Sequence, residues 1–372
     1  MAKAKGVPEA DNRMLWLREI DALALAASSH TIEAELGSEV LVPGLVDYAS
    51  GAVWLRPVTF TLDQAGLFKY VLRLRCAERT VPEGEAVPSE FLRIGTSNGY
   101  VYPSGSAGEL VALLSLVVQA RFYLLSVTMR HGPNGDGIHK TEWAPLRAGN
   151  GVHLDRVLFT AGHANTTQLA PLLDRVRSIR SEHHLAVAVA ADHYARAVRL
   201  VGVDEEMVFV RLVSAVEKIM GNHAEDALSQ KVLAHDGFTD EERKALKTTF
   251  QARRSGARFI EFLLKYSAGF FAGEATEPAH TQVTPENLKT VARAIYNARS
   301  GYLHSGDPMY LSPVNQVLPG WHMGATVGQT WQDRSFSRAQ KLPCADFFHR
   351  LVRHCILARI DEMVAEASSA IP

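Results

Sequence analysis

The sequence predicts an α+β protein: a mixed α/β N-terminal domain, residues 1–165, followed by an all-α helical domain, residues 166–372. Three observations predict this. Short β-rich runs and alternating patterns dominate before about residue 130, whereas apolar residues recur at helical spacing from about residue 166. Between them lies HGPNGDGIHKTEWAPLRAGNG, residues 131–151, whose Gly and Pro content reads as a linker. A chain of 372 residues is also long enough for two moderate domains.

In the N-terminal part, MAKAKGVPEADNR leads into a charged helical stretch rather than an apolar signal core. Residues 39–62 hold the β-rich runs EVLVPGLV and AVWLRPVTFTL, and Phe68 to Cys76, FKYVLRLRC, alternates like a half-buried strand. Arg79 to Ser89, with two prolines and a glycine, is expected to be an exposed loop. Glu109 to Met129 is apolar enough for a buried helix, with Phe122, Tyr123 and Val127 allowing a strand at its end.

Helical signals follow one another in the C-terminal part. Gln168 to Leu200 has apolar and small residues at helical spacing. Met207 to Met220 aligns Phe209, Leu212, Val213, Val216 and Met220 on one stripe, with Gly221 as a stop. Thr239-Asp240-Glu241-Glu242 is a capping box opening a helix, and Phe259 to Tyr266 continues the helical pattern. Thr284-Pro285 offers an N-cap and a first-turn proline for another helix. Gly320 to Ser337 reads as an irregular loop, and Asp346 to Val364 as a closing amphipathic helix.

Composition narrows the function classes. With 39 basic and 40 acidic side chains, any nucleic-acid site must be a local patch. Cys76, Cys344 and Cys355 form no CxxC pair, which argues against a disulfide framework or a thiolate zinc site and fits a reducing compartment. The longest apolar run, Leu110 to Val118, is too short to span a bilayer, so a cytoplasmic protein without a membrane partner is expected. No HExxH or comparable spacing appears among the fifteen histidines, and the Gly-rich 131–137 stretch lacks a following Lys-Ser/Thr. Neither a metal nor a cofactor is expected.

One residue stands out on the helix opened by Thr284-Pro285. On an ideal helix Leu288, Val291, Ala292, Ile295 and Tyr302 form an apolar stripe, and Arg299 falls near its middle. A guanidinium cannot discard its proton, so burial there requires a carboxylate, carbonyls or a phosphate. His304, five residues later, would point about 140° away in a continuous helix. The two can serve one site if the helix ends or bends near Ser300-Gly301, or if the Arg of one subunit meets the His of another. Histidine moves protons near neutral pH, and arginine offers a planar fork for phosphate. Attack by a ribose 2′-hydroxyl on its own 3′-phosphate needs these roles and no metal, and it would spare DNA.

Two segments, FVRLVSAVEKIMG at 209–221 and IYNARSGYLHSG at 295–306, resemble the HEPN superfamily, closest to its Apea-like branch, over about His183 to Ala365. The resemblance implies a helical bundle, usually a homodimer, in which two Arg-x4–6-His signatures face each other across a shared cleft. It also implies a metal-independent endoribonuclease acting as a toxin or antiphage defence effector, with RNA as substrate and an antitoxin or trigger protein as a further partner. Its alternative is a non-catalytic HEPN dimerisation or RNA-binding module.

Carried over, Arg299 and His304 take the catalytic positions, with Glu217, Ser300, Asn297 and Tyr302 in support. Ser300 departs from the Asn, Asp or His common after the Arg. Glu217 suits either a solvated helix face or a place beside Arg299, and Tyr302 suits core packing or base stacking. Two basic clusters, Arg253, Arg254 and Arg258, and Arg350 and Arg353 with His354, are expected to meet RNA phosphates if they border a cleft. The bare spacing recurs at Arg147/His153, Arg156/His163 and Arg177/His183, so the context of Arg299/His304 distinguishes it.

Overall fold

A computed structural model describes residues 13–26, 29–59, 61–63, 67–77, 105–131, 137–142, 165–201, 203–221, 235, 237–273, 282–309, 330–331, 334–335 and 342–369. Only the backbone is described at 129–131, 137–142, 247–254, 330–331 and 334–335. The fold is α+β, with a helical C-terminal part. The chain divides into two compact units: Met1–Ala195 with Ile360–Pro372, and Arg196–Arg359.

The first unit is built on a six-stranded antiparallel sheet. In chain order come α1 (Leu15–Leu23), β1 (Ser29–Ser38), β2 (Val46–Tyr48), β3 (Val53–Pro57), β4 (Phe68–Ala77), α2 (Gly105–Val118), β5 (Tyr123–His131) and β6 (Gly137–Glu142). The sheet order is β2-β3-β4-β1-β5-β6. The central strand β1 alternates strictly at first: His30, Ile32, Ala34 and Leu36 are buried, while Thr31, Glu33 and Glu35 are half-exposed. That is the period-two signature of a sheet with one face in the core.

Against that core α2 is buried along nearly its whole length, as a helix whose Leu110–Val118 stretch is apolar all round but for Ser115 requires. Tyr70 and Phe122 meet edge to face at 5.3 Å, and the Tyr70 hydroxyl accepts from the Val42 amide at 2.7 Å. The N-cap of α1, Met14, makes no side-chain cap, and a carboxylate from far along the chain takes that role. Glu109 of α2 accepts a hydrogen bond from the Trp16 amide at 3.2 Å, satisfying a first-turn donor that the helix cannot satisfy itself.

The linker expected at 131–151 contains a strand instead. β6 pairs with β5 from Ser126↔Glu142 to Arg130↔Gly137, because the Gly- and Pro-rich signal is confined to the ends of the segment and GIHKTE between them supplies ladder partners. The strand β1 has no counterpart in the sequence reading. Its Glu, Ser and Gly content hides the alternation that burial makes plain.

The helices α3 (Leu169–Ser178) and α4 (Ser181–Leu200) realise the helical stretch read at Gln168 to Leu200, broken at Ile179–Arg180. Leu169, Leu172, Leu173 and Val176 of α3 are buried, and α3 packs on α2 and β2. The expected boundary at residue 165 and the observed division at Ala195 therefore differ: α3 belongs with the sheet that buries its apolar stripe.

The second unit carries α5 (Glu205–Ile219), α6 (Asp240–Tyr266), α7 (Pro285–Ser305) and most of α8 (Ala345–Ser369), with a two-residue antiparallel pair, β7 (Thr330–Trp331) and β8 (Arg334–Ser335). That pair is a small departure from an all-α domain. The predicted punctuation is present. Thr239 and Glu242 form a reciprocal capping box, and Thr284 caps α7 with Asn287, with Pro285 in the first turn. Gly221 follows α5 at φ 71°, the left-handed conformation that suits glycine. Phe209 of α5 stacks on Phe348 of α8 at 5.1 Å, and Phe259 and Phe347 are wholly buried with them.

Candidate functional site

Three helices of the second unit converge on Arg299. Leu288, Val291, Ala292 and Ile295 of α7 are buried, as the stripe predicts, and the same face carries Arg299 inward to 16% side-chain exposure. There one Nη2 donates to Glu217 Oε2 of α5 at 2.8 Å. The Tyr296 hydroxyl donates to the other Glu217 oxygen at 3.4 Å, and the guanidinium carbon lies 5.9 Å from the Tyr296 ring centroid. The Arg299 Nε is buried with no hydrogen-bond partner among the described residues.

From the third side α6 closes the group. Ser255 shares a hydrogen bond with the Tyr296 hydroxyl. Gly256 leaves room for the ring: a Cβ there would lie 3.0 Å from Tyr296 Cδ1 and Cε1. Phe259 packs beside it at 5.6 Å. Burial raises the Tyr296 phenol above its ordinary pKa, and the Glu217 charge adds to the rise. The phenol is therefore a firm donor to Glu217 rather than a competing anion.

The other expected site residues divide. Helix α7 runs unbroken through Ser300 and Gly301 to Ser305, so the bend considered from sequence does not occur. Continuous helical hydrogen bonding holds glycine there in the helix, and Gly306 at φ 69° ends it instead. His304 is exposed in the last turn, about 140° around the helix from Arg299. The two side chains thus diverge within one chain. Asn297 is exposed, and Ser300 and Tyr302 are half-exposed. Slight burial and the nearby charges of Glu206 and Asp204 raise the Tyr302 phenol.

The basic residues are partly committed. Arg258 donates to the Gly221 carbonyl at 2.6 Å and so ties α6 to the end of α5. Arg350 pairs with Asp346 at 3.2 Å and is 18% exposed. Arg353 is half-buried, and His354 meets the Ala268 carbonyl at 2.9 Å. The Arg253 and Arg254 side chains lie outside the described residues, as do Arg147, His153, Arg156 and His163. Arg177 of α3 pairs with Asp21 at 3.0 Å.

Next to Arg350, His349 is fully buried with its Nε2 3.2 Å from Asp346. Burial lowers the His349 pKa; Asp346 is also held low, because its bonds to His349 and the Arg350 charge outweigh its own desolvation. The described residues contain no His, Cys, Asp or Glu cluster fit for a metal ion, and none of their helices is long and apolar enough to cross a membrane.

Sequence reasoning missed Tyr296, Ser255 and Gly256. Tyr296 stands three residues before Arg299 and so shares its helix face, a usable signal. Nothing in sequence links Ser255 and Gly256 to them, since that proximity comes from packing. The chain matches no protein-family model, no curated protein and no solved structure at a significant level.

Proposed function

We propose that this chain is a metal-independent endoribonuclease of HEPN type, acting as a homodimer through its helical part. In this reading, Arg299 of one copy and His304 of a second serve the same phosphodiester. The supporting observation is the arrangement on α7: a guanidinium held inside an apolar stripe by Glu217, and an exposed imidazole splayed away from it on the same rigid helix. A helix that separates the pair within a copy suits a cleft assembled from two.

The chemistry follows from the groups. The ribose 2′-hydroxyl gives its proton to a base as its oxygen bonds to the adjacent phosphorus, and the bond to the 5′ oxygen breaks as that oxygen gains a proton. His304 serves the proton transfers, and Arg299 stabilises the charge gathering on the phosphoryl oxygens. The products are a 2′,3′-cyclic phosphate and a 5′-hydroxyl. A role as a cytoplasmic toxin or antiphage effector, held by an antitoxin or released by a trigger protein, belongs to the same proposal.

RNA cleavage in EDTA by wild type, Arg299→Ala and His304→Ala tests it. Activity should vanish in each variant and return in part when the two inactive variants are mixed, because a mixed dimer retains one complete Arg–His pair. Equal activity in all preparations rejects the reading. A strict monomer by light scattering that still cleaves rejects the shared cleft. A second reading, a non-catalytic dimerisation or RNA-binding module, is favoured by the ion pair itself: Glu217 already meets the Arg299 charge as in a structural contact. Loss of dimerisation in the variants without wild-type cleavage would select it.

A further inference from the structure

The first unit holds an arginine–tryptophan cluster that the nuclease reading does not use. Trp54 of β3 has the guanidinium carbon of Arg56 4.9 Å from its ring centroid and that of Arg73 5.0 Å from it. The strand alternation puts all three on the sheet face opposite the core. Val53 and Leu55 are buried while Trp54 is half-exposed and Arg56 exposed; Leu72 and Leu74 are buried while Arg73 and Arg75 are exposed. The register aligns Asp47, Trp54, Arg73, Glu33 and Thr128 in one row across five strands. Helix α1 contacts β4 and α2 contacts β5, and their buried side chains belong to the core.

Charge on this face is unevenly committed. Arg73 is held by Glu33 at 2.8 Å, and Lys69 by Glu35 at 3.0 Å and Asp63 at 3.2 Å. Arg56 and Arg75 have no carboxylate partner among the described residues, and Asp47 is the exposed acid opposite Trp54. The named charges balance, four basic side chains against four acidic ones, and among the described residues Arg56 beside Trp54 and Arg75 further along β4 are the guanidinia without a carboxylate. A half-exposed indole with guanidinium groups beside it offers stacking surfaces for flat rings, and every nucleobase has such a face whatever its sequence. The exposed guanidinia of Arg56 and Arg75 on the same face suit phosphates.

We infer that this sheet face binds single-stranded RNA, with bases stacking on the Trp54–Arg56–Arg73 cluster and phosphates meeting Arg56 and Arg75. With few free cations, stacking supplies much of the affinity and the salt dependence is shallow. The inference stands apart from the Arg299/His304 reading, because it is measured as binding and not as cleavage.

The test is fluorescence anisotropy of labelled oligouridine and oligoadenosine RNA with the full chain carrying His304→Ala. Both RNAs should bind. Trp54→Ala should weaken binding about tenfold, the loss of one stacked base, while Trp54→Phe keeps most of the affinity. Arg56→Gln with Arg75→Gln, both at exposed positions where folding is not at stake, should make the salt slope shallower by about 1.4, two single-strand phosphate contacts. No binding by the folded protein at low salt overturns the inference. So does binding indifferent to the arginine pair and to Trp54, or capture of a polyglutamate peptide in place of RNA. None of these outcomes bears on cleavage, which reports on the other site.

Discussion

Arg299 and Glu217 are joined by a 2.8 Å ion pair that links α7 to α5, with the carboxylate steadied from its other oxygen by Tyr296. The two side chains are 16% and 24% exposed, so the pair is partly shielded from water. Removing one partner leaves the other charge poorly compensated. Glu217→Ala should therefore cost about 2 kcal/mol, the range for a hydrogen bond to a charged group. Urea unfolding checks this: the midpoint should fall at an unchanged slope. An unmoved midpoint would mean that the pair contributes nothing to the second unit.

Gly256 should not gain what helix propensity offers. In an open helix, Gly→Ala stabilises by about 1 kcal/mol. Here the new Cβ would press on the Tyr296 ring at 3.0 Å, and Phe259 and two hydrogen bonds restrict that ring. Gly256→Ala should gain little alone and recover the full gain in a Tyr296→Ala background. A double-mutant cycle reads the coupling, and equal gains in both backgrounds would reject the contact.

The end of α7 depends on Gly306 at φ 69°, whose position a Cβ would strain. Gly306→Ala should cost about 1 kcal/mol, and Gly306→Asn less, because asparagine tolerates this conformation. On the proposed function, RNA cleavage should decline with the alanine variant as well, since His304 sits two residues before the cap. Thermal melts and cleavage rates on the same preparations separate the two effects.

Glu109 should make the first unit lose stability as pH rises. Burial pushes its carboxyl from an ordinary 4.5 up to about 8, although the Trp16 and Leu15 amides pull the other way. Between those values the native state keeps a proton that the unfolded chain has released, so stability falls with pH from about 4.5 to about 8. Glu109→Gln keeps an amide oxygen to accept from Trp16 and has no proton to lose. Its urea midpoint should be flatter from pH 5 to 9 than that of the wild type; identical profiles would refute the assignment.

Much of the helical part was legible in sequence because its signals are local. The Thr239–Glu242 box, the Thr284-Pro285 start and the Gly221 stop depend on residues within one turn, and each appears where the spacing puts it. The β4 strand was legible for the same reason, since FKYVLRLRC alternates on its own. β1 was not, because its pairing with the distant strands β4 and β5 decides it. Nor was β6, because glycines and prolines on either side of GIHKTE mask a strand that its pairing with β5 reveals. The same holds for Glu109, which caps a helix 93 residues away in sequence, and for the move of α3 into the sheet unit.

At AIYNARSGYLHSG the division is the same. The sequence by itself determined that Arg299 lies on the apolar face of a capped helix and that a guanidinium there must find a partner, because helical periodicity and the permanence of its charge are properties of the chain. Only the tertiary structure decided that the partner is Glu217, that Tyr296, Ser255 and Gly256 build its surroundings, and that α7 stays straight enough to turn His304 away. Those outcomes depend on which helices pack together, and packing brings together residues that no local spacing relates.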